Sequence, residues 1–487
     1  MTYRNHGRKP VEFNPPTTLE SPRSGRHKTQ SRLPQIPPMH HNTHKLVTLS
    51  LLAFLSSATA HAAEPPKPWT LAESIDVAPV WSGHKVGFAL LTDGHEQYVA
   101  YYDADRRLTV ASRQLGSKDW TYQVLPTSVK WDSHNYVTMA FDADGHLHVS
   151  GNMHCVPLIY FRTTRPRDVT SLERVPKMVG ENEKRCTYPR FVKGAEGEMI
   201  FTYRDGSSGN GNQIWNVYNP KTKTWKRLLD TPLFSGEGKM NAYFVGPVQD
   251  SDGVFHICWV WRDTPDCATN HDLCYARSRD LLHWETSAGK PLKLPITLAT
   301  AEIVDPVPPG GGIINGNTKI GFDTEGRVIL SYHKHDAEGN TQIYNARRRN
   351  GTWEINQASD WDTRWNFQGG GSITFDIRVG SVSATDDGRL VQSQSHAKHR
   401  GGRWLLDPET LKPAGPAPRE PAYPKSLGHV EGKAHGLQIR RAYDLADTQN
   451  DTVRYLLQWE TRPANRDRPY PGPHTPPSTL RVHKLER

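Results

Sequence analysis

The stretch His134-Asn-Tyr-Val-Thr-Met-Ala-Phe-Asp-Ala-Asp-Gly-His-Leu-His-Val-Ser-Gly-Asn-Met-His154 reads as two short strands folded about Asp144-Gly145. Apolar residues alternate with polar ones on both sides of the turn, which is the period of a strand with one buried face. An acidic residue followed by Gly is a favoured hairpin turn, because Gly takes a positive φ without steric cost.

The same pattern recurs outward in both directions, at Asp93-Gly94, Glu196-Gly197, Asp252-Gly253, Glu325-Gly326 and Asp387-Gly388. Most of these units close near a tryptophan: Trp120, Trp225, Trp284 and Trp353. No sustained 3.6-residue apolar period interrupts them. The spacing of roughly fifty to seventy residues suits propeller blades that carry long loops. The expectation is therefore an all-β chain, a seven-bladed β-propeller of four-stranded antiparallel blades. Six blades are marked by the six turns. The seventh is assembled from strands around Tyr455–Trp459 and Leu480–Lys484, closed by the segment near Trp69. A two-sheet sandwich with a second β domain is the alternative, and repetition on this scale disfavours it.

At the N-terminus, Lys45 precedes an apolar run, Leu46–Leu55, that is followed by Ala60-His61-Ala62. This order is that of a secretory signal peptide, too short for a stable membrane span. The expected division is an extension or over-extended start at 1–38, a signal peptide at 39–62, and one catalytic domain at 63–487, exported to the periplasm or the medium and monomeric. Residues 1–62 hold 8 of the 60 Lys and Arg and 2 of the 51 Asp and Glu, which leaves 52 against 49. The formal charge of +9 thus falls to +3, and the electrostatic reason to expect nucleic acid disappears. Five cysteines, an odd number, are too few to staple a chain of 487 residues.

Against a background of 23 histidines, His134 and His154 stand out because they flank one hairpin and can meet at its rim. The next unit places Tyr188 and Arg204 about its own hairpin, and Tyr243 opens the unit after that. These motifs, with Tyr188-Pro-Arg-Phe, Tyr203-Arg-Asp-Gly and Thr269-Asn-His-Asp-Leu-Cys-Tyr-Ala-Arg-Ser278, resemble the BNR-repeat polysaccharide lyases of families 24 and 25, the ulvan lyases. The likeness runs through most of the exported chain, to Trp459–Pro469. It implies β-elimination on a glucuronate-containing, rhamnose-bearing acidic polysaccharide. In that chemistry a cation neutralises the uronate carboxylate, a base removes the C5 proton, and an acid protonates the departing oxygen at C4. Arg204 suits the first task, being permanently charged and forked for a carboxylate. The resemblance gives His134 and Tyr188 the base and acid roles without ordering them, makes His154 an assistant, and gives Tyr243 and Arg378 to substrate binding.

Cys267, His271 and Cys274, with a distant His333, have spacing that suits a tetrahedral zinc. Export favours a Cys267–Cys274 disulfide instead. The resemblance points to zinc, in a structural role; nothing in the sequence bears on calcium. Two other functions fit the same residues: a glycoside hydrolase removing rhamnose from glucuronate, and a carbohydrate-binding propeller without turnover. No phosphate-binding Gly loop and no Gly-x-Ser-x-Gly elbow is present.

Overall fold

Each acidic-Gly turn of the sequence joins the first two strands of one antiparallel sheet. The structure is a computed structural model that describes residues 67–418, 421–446 and 452–487; the extension, the signal segment and its cleavage site lie outside the described residues. Gly94, Gly145, Gly197, Gly253, Gly326 and Gly388 all have φ between 60° and 87°, the region that excludes most side chains. An aspartate three residues before the Gly shapes several of these turns. Asp142, Asp250 and Asp323 each accept two backbone N–H groups on one carboxylate oxygen, at 2.8–3.0 Å. The turns are thereby fixed locally, before any long-range contact is made.

The described residues form seven sheets, four of them containing no more than four strands in simple sequence order. The first sheet runs Ala89–Asp93, Glu96–Tyr102, Arg107–Gln114, Thr121–Ser128. The second, third, fourth, fifth and sixth sheets open with Val137–Phe141, Cys186–Lys193, Asn241–Gln249, Lys319–Phe322 and Ile377–Ala384. The last unites Gln438–Tyr443, Val453–Thr461 and Ser478–Glu486 with the N-terminal strand Thr70–Val80. That pairing extends from Thr70↔Glu486 to Val80↔Ser478, so the two ends of the described chain are zipped into one sheet, as the sequence predicts. The third and fourth sheets gain extra short strands, so four strands per sheet holds for most sheets and not for all.

Several first strands pack against those of the neighbouring sheets in chain order. Ala89–Asp93 lies against Val137–Phe141 and also against Gln438–Tyr443, and Lys319–Phe322 lies against Ile377–Ala384. Between the sheets lie large apolar side chains. Trp215, Trp259 and Trp261 are fully buried in one such cluster with Phe234 and Trp284, each contributing on the order of 3 kcal/mol through burial. Many histidines prove structural. His148 sits between Asp142 (3.2 Å) and the Tyr160 hydroxyl (2.7 Å), and His256 repeats the arrangement between Asp250 (2.9 Å) and Tyr275 (2.6 Å). Helix is confined, among the described residues, to three short 3-10 turns, and no helix there is long and apolar enough to cross a membrane.

Candidate active site

In an antiparallel meander the N-terminal end of the first strand lies beside the C-terminal end of the second. His134, Tyr188, Tyr243 and Arg378 stand at or just before the N-terminal ends of first strands, and Arg204 and Arg262 lie near the C-terminal ends of second strands. All six line one cleft of about 450 Å³, together with His154 and Lys85. The alternation of strands thus gathers residues spread over more than two hundred positions onto one end of the sheets.

His134 is fixed by its own loop. Asp132 Oδ1 accepts its backbone N–H at 2.9 Å and lies 2.6 Å from its Nδ1. The other oxygen of Asp132 contacts His154 Nδ1, and the two imidazoles are 4.2 Å apart between ring centres. His154 reaches this place because the chain leaves the second sheet after Gly151 and pairs His154–Val156 with the first strand of the third, His154 opposite Thr187. Burial opposes ionisation of Asp132, but the hydrogen bonds from His134 and His154 outweigh it and hold the carboxyl well below its usual range. An ionised carboxylate only accepts, so each Nδ1 donates a proton to Asp132, which leaves Nε2 as the ring nitrogen not engaged by that carboxylate. Asp467 lies 3.5 Å from the same Nδ1 of His134 and is held by Ser372 Oγ at 2.8 Å.

Tyr188 is aimed by a bulge. Pairing of the third sheet skips from Thr187↔Arg204 to Arg190↔Thr202, with Tyr188 and Pro189 between. Tyr188 takes φ 60°, unusual for a bulky residue. Its ring lies 5.9 Å from that of His134 and 6.1 Å from that of Tyr243. Burial, and then the neighbouring Tyr243, raise the Tyr188 phenol far above the usual tyrosine range despite the opposing charge of Arg204.

Arg204 is 1 % exposed. It donates to Tyr243 Oη at 3.3 Å, Thr187 Oγ1 at 3.0 Å and Cys155 Sγ at 3.3 Å, and its guanidinium stands 5.0 Å over the ring of Tyr188. Its Nε has no partner. Among the described residues no carboxylate forms an ion pair with it, so a buried cation lacks the anion that burial normally demands. Gly211 makes room for its stem: a Cβ there would meet Arg204 Cδ at 3.0 Å and Asn241 Oδ1 at 2.8 Å. The Tyr243 hydroxyl lies 2.8 Å from Ser208 Oγ.

The expected metal set is not assembled. No three of Cys267, His271, Cys274 and His333 offer ligand atoms within 4.8 Å of one another; among the described residues only Asp132, His134 and His154 form such a group, and both oxygens of that aspartate already hold the two imidazoles. Both nitrogens of His271 face carboxylates, Asp263 at 3.0 Å and Asp272 at 2.9 Å. Cys274 points into the cluster with Trp215 and Trp259, whereas Cys267 packs with Ile314 and Trp365. The strand is bulged between His271 and Cys274, where pairing passes from Trp261↔His271 to Val260↔Leu273 and leaves Asp272 unpaired, so spacing does not set their relative orientation. His333 packs on Trp365 at 5.3 Å between ring centres. All five cysteines are free, so the alternative disulfide is not formed either.

Sequence reading missed Asp132, Asp467, Thr187, Cys155, Arg262 and Lys85. Asp132 had a local signal, an acid two residues before His134 that can accept the His134 N–H in a tight turn. Asp467 falls within the stretch Trp459–Pro469 of the family likeness, but nothing local ties it to His134, 333 residues away.

Asp132→Asn is expected to lower kcat by about 10²-fold with little change in KM, because the amide cannot orient two imidazoles as acceptor to both. A displaced pH–rate profile with an intact fold identifies positioning; unchanged turnover removes the role. A carboxyl whose folded pKa is depressed adds stability above its ordinary value of 3.8 and loses it as pH falls further. The stability gap between wild type and Asp132→Asn therefore closes in acid.

These features define an all-β repeat protein with a cationic cleft carrying a paired-histidine centre. Residues 96–361, over half of the chain, match the BNR repeat-containing family, and the chain belongs to that family. The fold is similar to the crystal structure of the polysaccharide lyase Uly1, with 13% identity and a TM-score of 0.56, covering 85% of this chain and 99% of that one. It is equally similar to a polysaccharide lyase PL25 ulvan lyase, with 12% identity and a TM-score of 0.56, covering 85% and 96%. A PL25 ulvan lyase bound to -[GlcA(1-4)Rha3S]- matches with 12% identity and a TM-score of 0.55, over the same shares. No curated protein matches the chain.

Proposed function

We propose that this chain is an exported polysaccharide lyase, its seven sheets acting as seven blades, that cleaves a glucuronate-containing, rhamnose-bearing acidic polysaccharide of the ulvan type by β-elimination. The observation that carries the reading is Arg204: a buried guanidinium without a carboxylate, between two tyrosines, in the cleft that holds the His134–His154 pair. The substrate uronate supplies the missing anion. Neutralising it acidifies the C5 proton, which no base could remove efficiently beside a free carboxylate.

With its Nδ1 proton held by Asp132, His134 offers Nε2 as the base, and His154 shares the same anchor. Tyr188, kept protonated by burial and by Tyr243, is the matching acid. The C5–H electron pair becomes the C4=C5 double bond, the C4–O bond breaks, and the leaving oxygen takes the Tyr188 proton. Tyr243 and Arg378 contact the sugar chain. The resemblance-based structural zinc plays no part, since the residues named for it do not converge.

The test is incubation of the purified chain with a panel of uronate polysaccharides. The unsaturated end absorbs in the ultraviolet, whereas a hydrolase yields reducing ends without absorbance. A carbohydrate-binding protein without turnover yields neither. Hydrolysis ordinarily calls for two available carboxylates; Asp132 and Asp467 are the acids beside His134, and both are occupied by hydrogen bonds within the protein. Export has its own check: the secreted product should begin at Ala63, by N-terminal sequencing or intact mass, and a product retaining Arg4 or Arg8 contradicts the reading of residues 1–38.

A further inference from the structure

Asp467 does more than stand beside His134. Its Oδ1 accepts the Ser133 backbone N–H at 3.2 Å and the Ser372 hydroxyl at 2.8 Å, and its Oδ2 accepts the Ser372 N–H at 3.1 Å while lying 3.5 Å from His134 Nδ1. One carboxylate therefore joins three loops: the one before the first strand of the second sheet, the one before the first strand of the sixth, and the one that follows Val453–Thr461 in the last. The loop that carries it is itself anchored. Buried His84 accepts the Asn465 N–H on Nε2 at 3.1 Å. Arg466 and Asp467 take φ of 52° and 58°, a conformation that residues other than Gly hold when their surroundings impose it. The segment ending at Ser372 is a wall of the cleft, lined by Gly370, Gly371 and Ser372. Arg466 grips it, donating from its side chain to the carbonyl oxygens of Gln368 at 2.7 Å and Gly370 at 3.2 Å and from its backbone N–H to that of Ser372 at 3.2 Å. A Cβ at Gly371 would meet the Arg466 carbonyl oxygen at 2.8 Å, so the two backbones touch.

We propose that Asp467 is a positioning residue that sets the glycine wall and His134 as one unit, so that a sugar ring seated against the wall is presented to the base at a fixed distance. The proposal rests on the lyase reading for the identity of the sugar and of the base. Glycines suit such a wall, because they leave backbone exposed where a ligand must approach closely. A wall without side chains has nothing of its own to hold it in place, and the contacts from Arg466 and Asp467 supply that hold. The two acids beside His134 thereby divide the work. Asp132 orients both imidazoles, whereas Asp467 relates one of them to the surface on which the substrate rests. Accuracy matters here, since misplacing reacting groups by about 1 Å costs on the order of 10²-fold in rate.

Steady-state kinetics and amide hydrogen exchange on the full chain test the joint. Asp467→Ala should lower kcat about tenfold to a hundredfold and also raise KM about threefold to tenfold, with a melting temperature close to that of wild type. Loss of kcat alone confines Asp467 to His134, and a rise in KM alone confines it to the wall; either result overturns the joint. Ser372→Ala, which removes one donor from the wall, should raise KM in the wild-type chain and add nothing in the Asp467→Ala background, where its acceptor is already gone. Full additivity of the two substitutions also overturns it. Asn tolerates the same positive φ, so Asp467→Asn provides a folded protein, with smaller effects in the same directions, should the Ala variant not fold. Exchange should quicken together at Gly369–Ser372 and at Ser133–Asn135, and protection retained in either loop contradicts the proposal. Absence of unsaturated product from the wild-type chain on every uronate polymer removes the lyase reading alone, and the exchange measurement then still decides whether Asp467 ties the two loops together.

Discussion

Replacing Arg204 with Met should reduce kcat/KM on a uronate polymer by about 10³-fold, the scale of removing a preorganised charge from a reacting centre. The same substitution should leave the melting temperature unchanged or raise it. That combination is diagnostic. An arginine buried for structural reasons is paired, and cutting it out leaves a charged partner stranded. Here the partners are hydroxyls, a thiol and aromatic faces, so a Met of similar length removes an uncompensated charge and keeps most of the volume. Steady-state kinetics and a thermal melt on one preparation decide the matter. Turnover near the wild-type level, or a loss of activity that merely tracks a collapsed melting temperature, would remove Arg204 from the chemistry.

The second large effect is expected at Tyr188. Tyr188→Phe deletes one oxygen and keeps the ring that packs at 6.1 Å from Tyr243 and 5.0 Å from the Arg204 guanidinium. Folding and substrate affinity should persist. Loss of a general acid nevertheless costs about 10²- to 10⁴-fold in kcat. The direction of the pKa shift adds a test with a definite sign. An acid must be protonated to act, and Tyr188 is raised above its ordinary 10.0. The alkaline limb of the wild-type profile should therefore not fall at the pH where a solvated tyrosine ionises. A kcat close to that of wild type in the Phe variant would transfer the acid role to another group in the cleft, His154 being the nearest to His134.

Much of this architecture was legible in the chain because its determinants are local. A hairpin turn is set by a Gly at positive φ and an Asp that accepts backbone donors within four residues, and both are visible in Asp142-Ala-Asp-Gly-His. The closing sheet was legible for a different reason: leftover strands at the two ends of a repeat have no partners except each other. Of the site, His134, His154, Tyr188, Arg204, Tyr243 and Arg378 do share one cleft. The Cys and His set failed because spacing along a strand does not reveal the face on which each residue lies. A bulge between Val260 and Trp261 shifts the register opposite Leu273 and His271, and His271 is captured by two aspartates while Cys274 turns into the apolar cluster.

By itself the sequence determined the strand periodicity, the six hairpins and the residue types able to move a proton beside an anionic sugar, since each depends on neighbours within a few positions. Only the tertiary structure decided that Asp132 holds both imidazoles, that Asp467 arrives from 333 residues away, and that Arg204 is buried without a carboxylate. Those facts depend on which strand ends meet when the sheets pack, and packing is a property of the whole chain that no local stretch encodes.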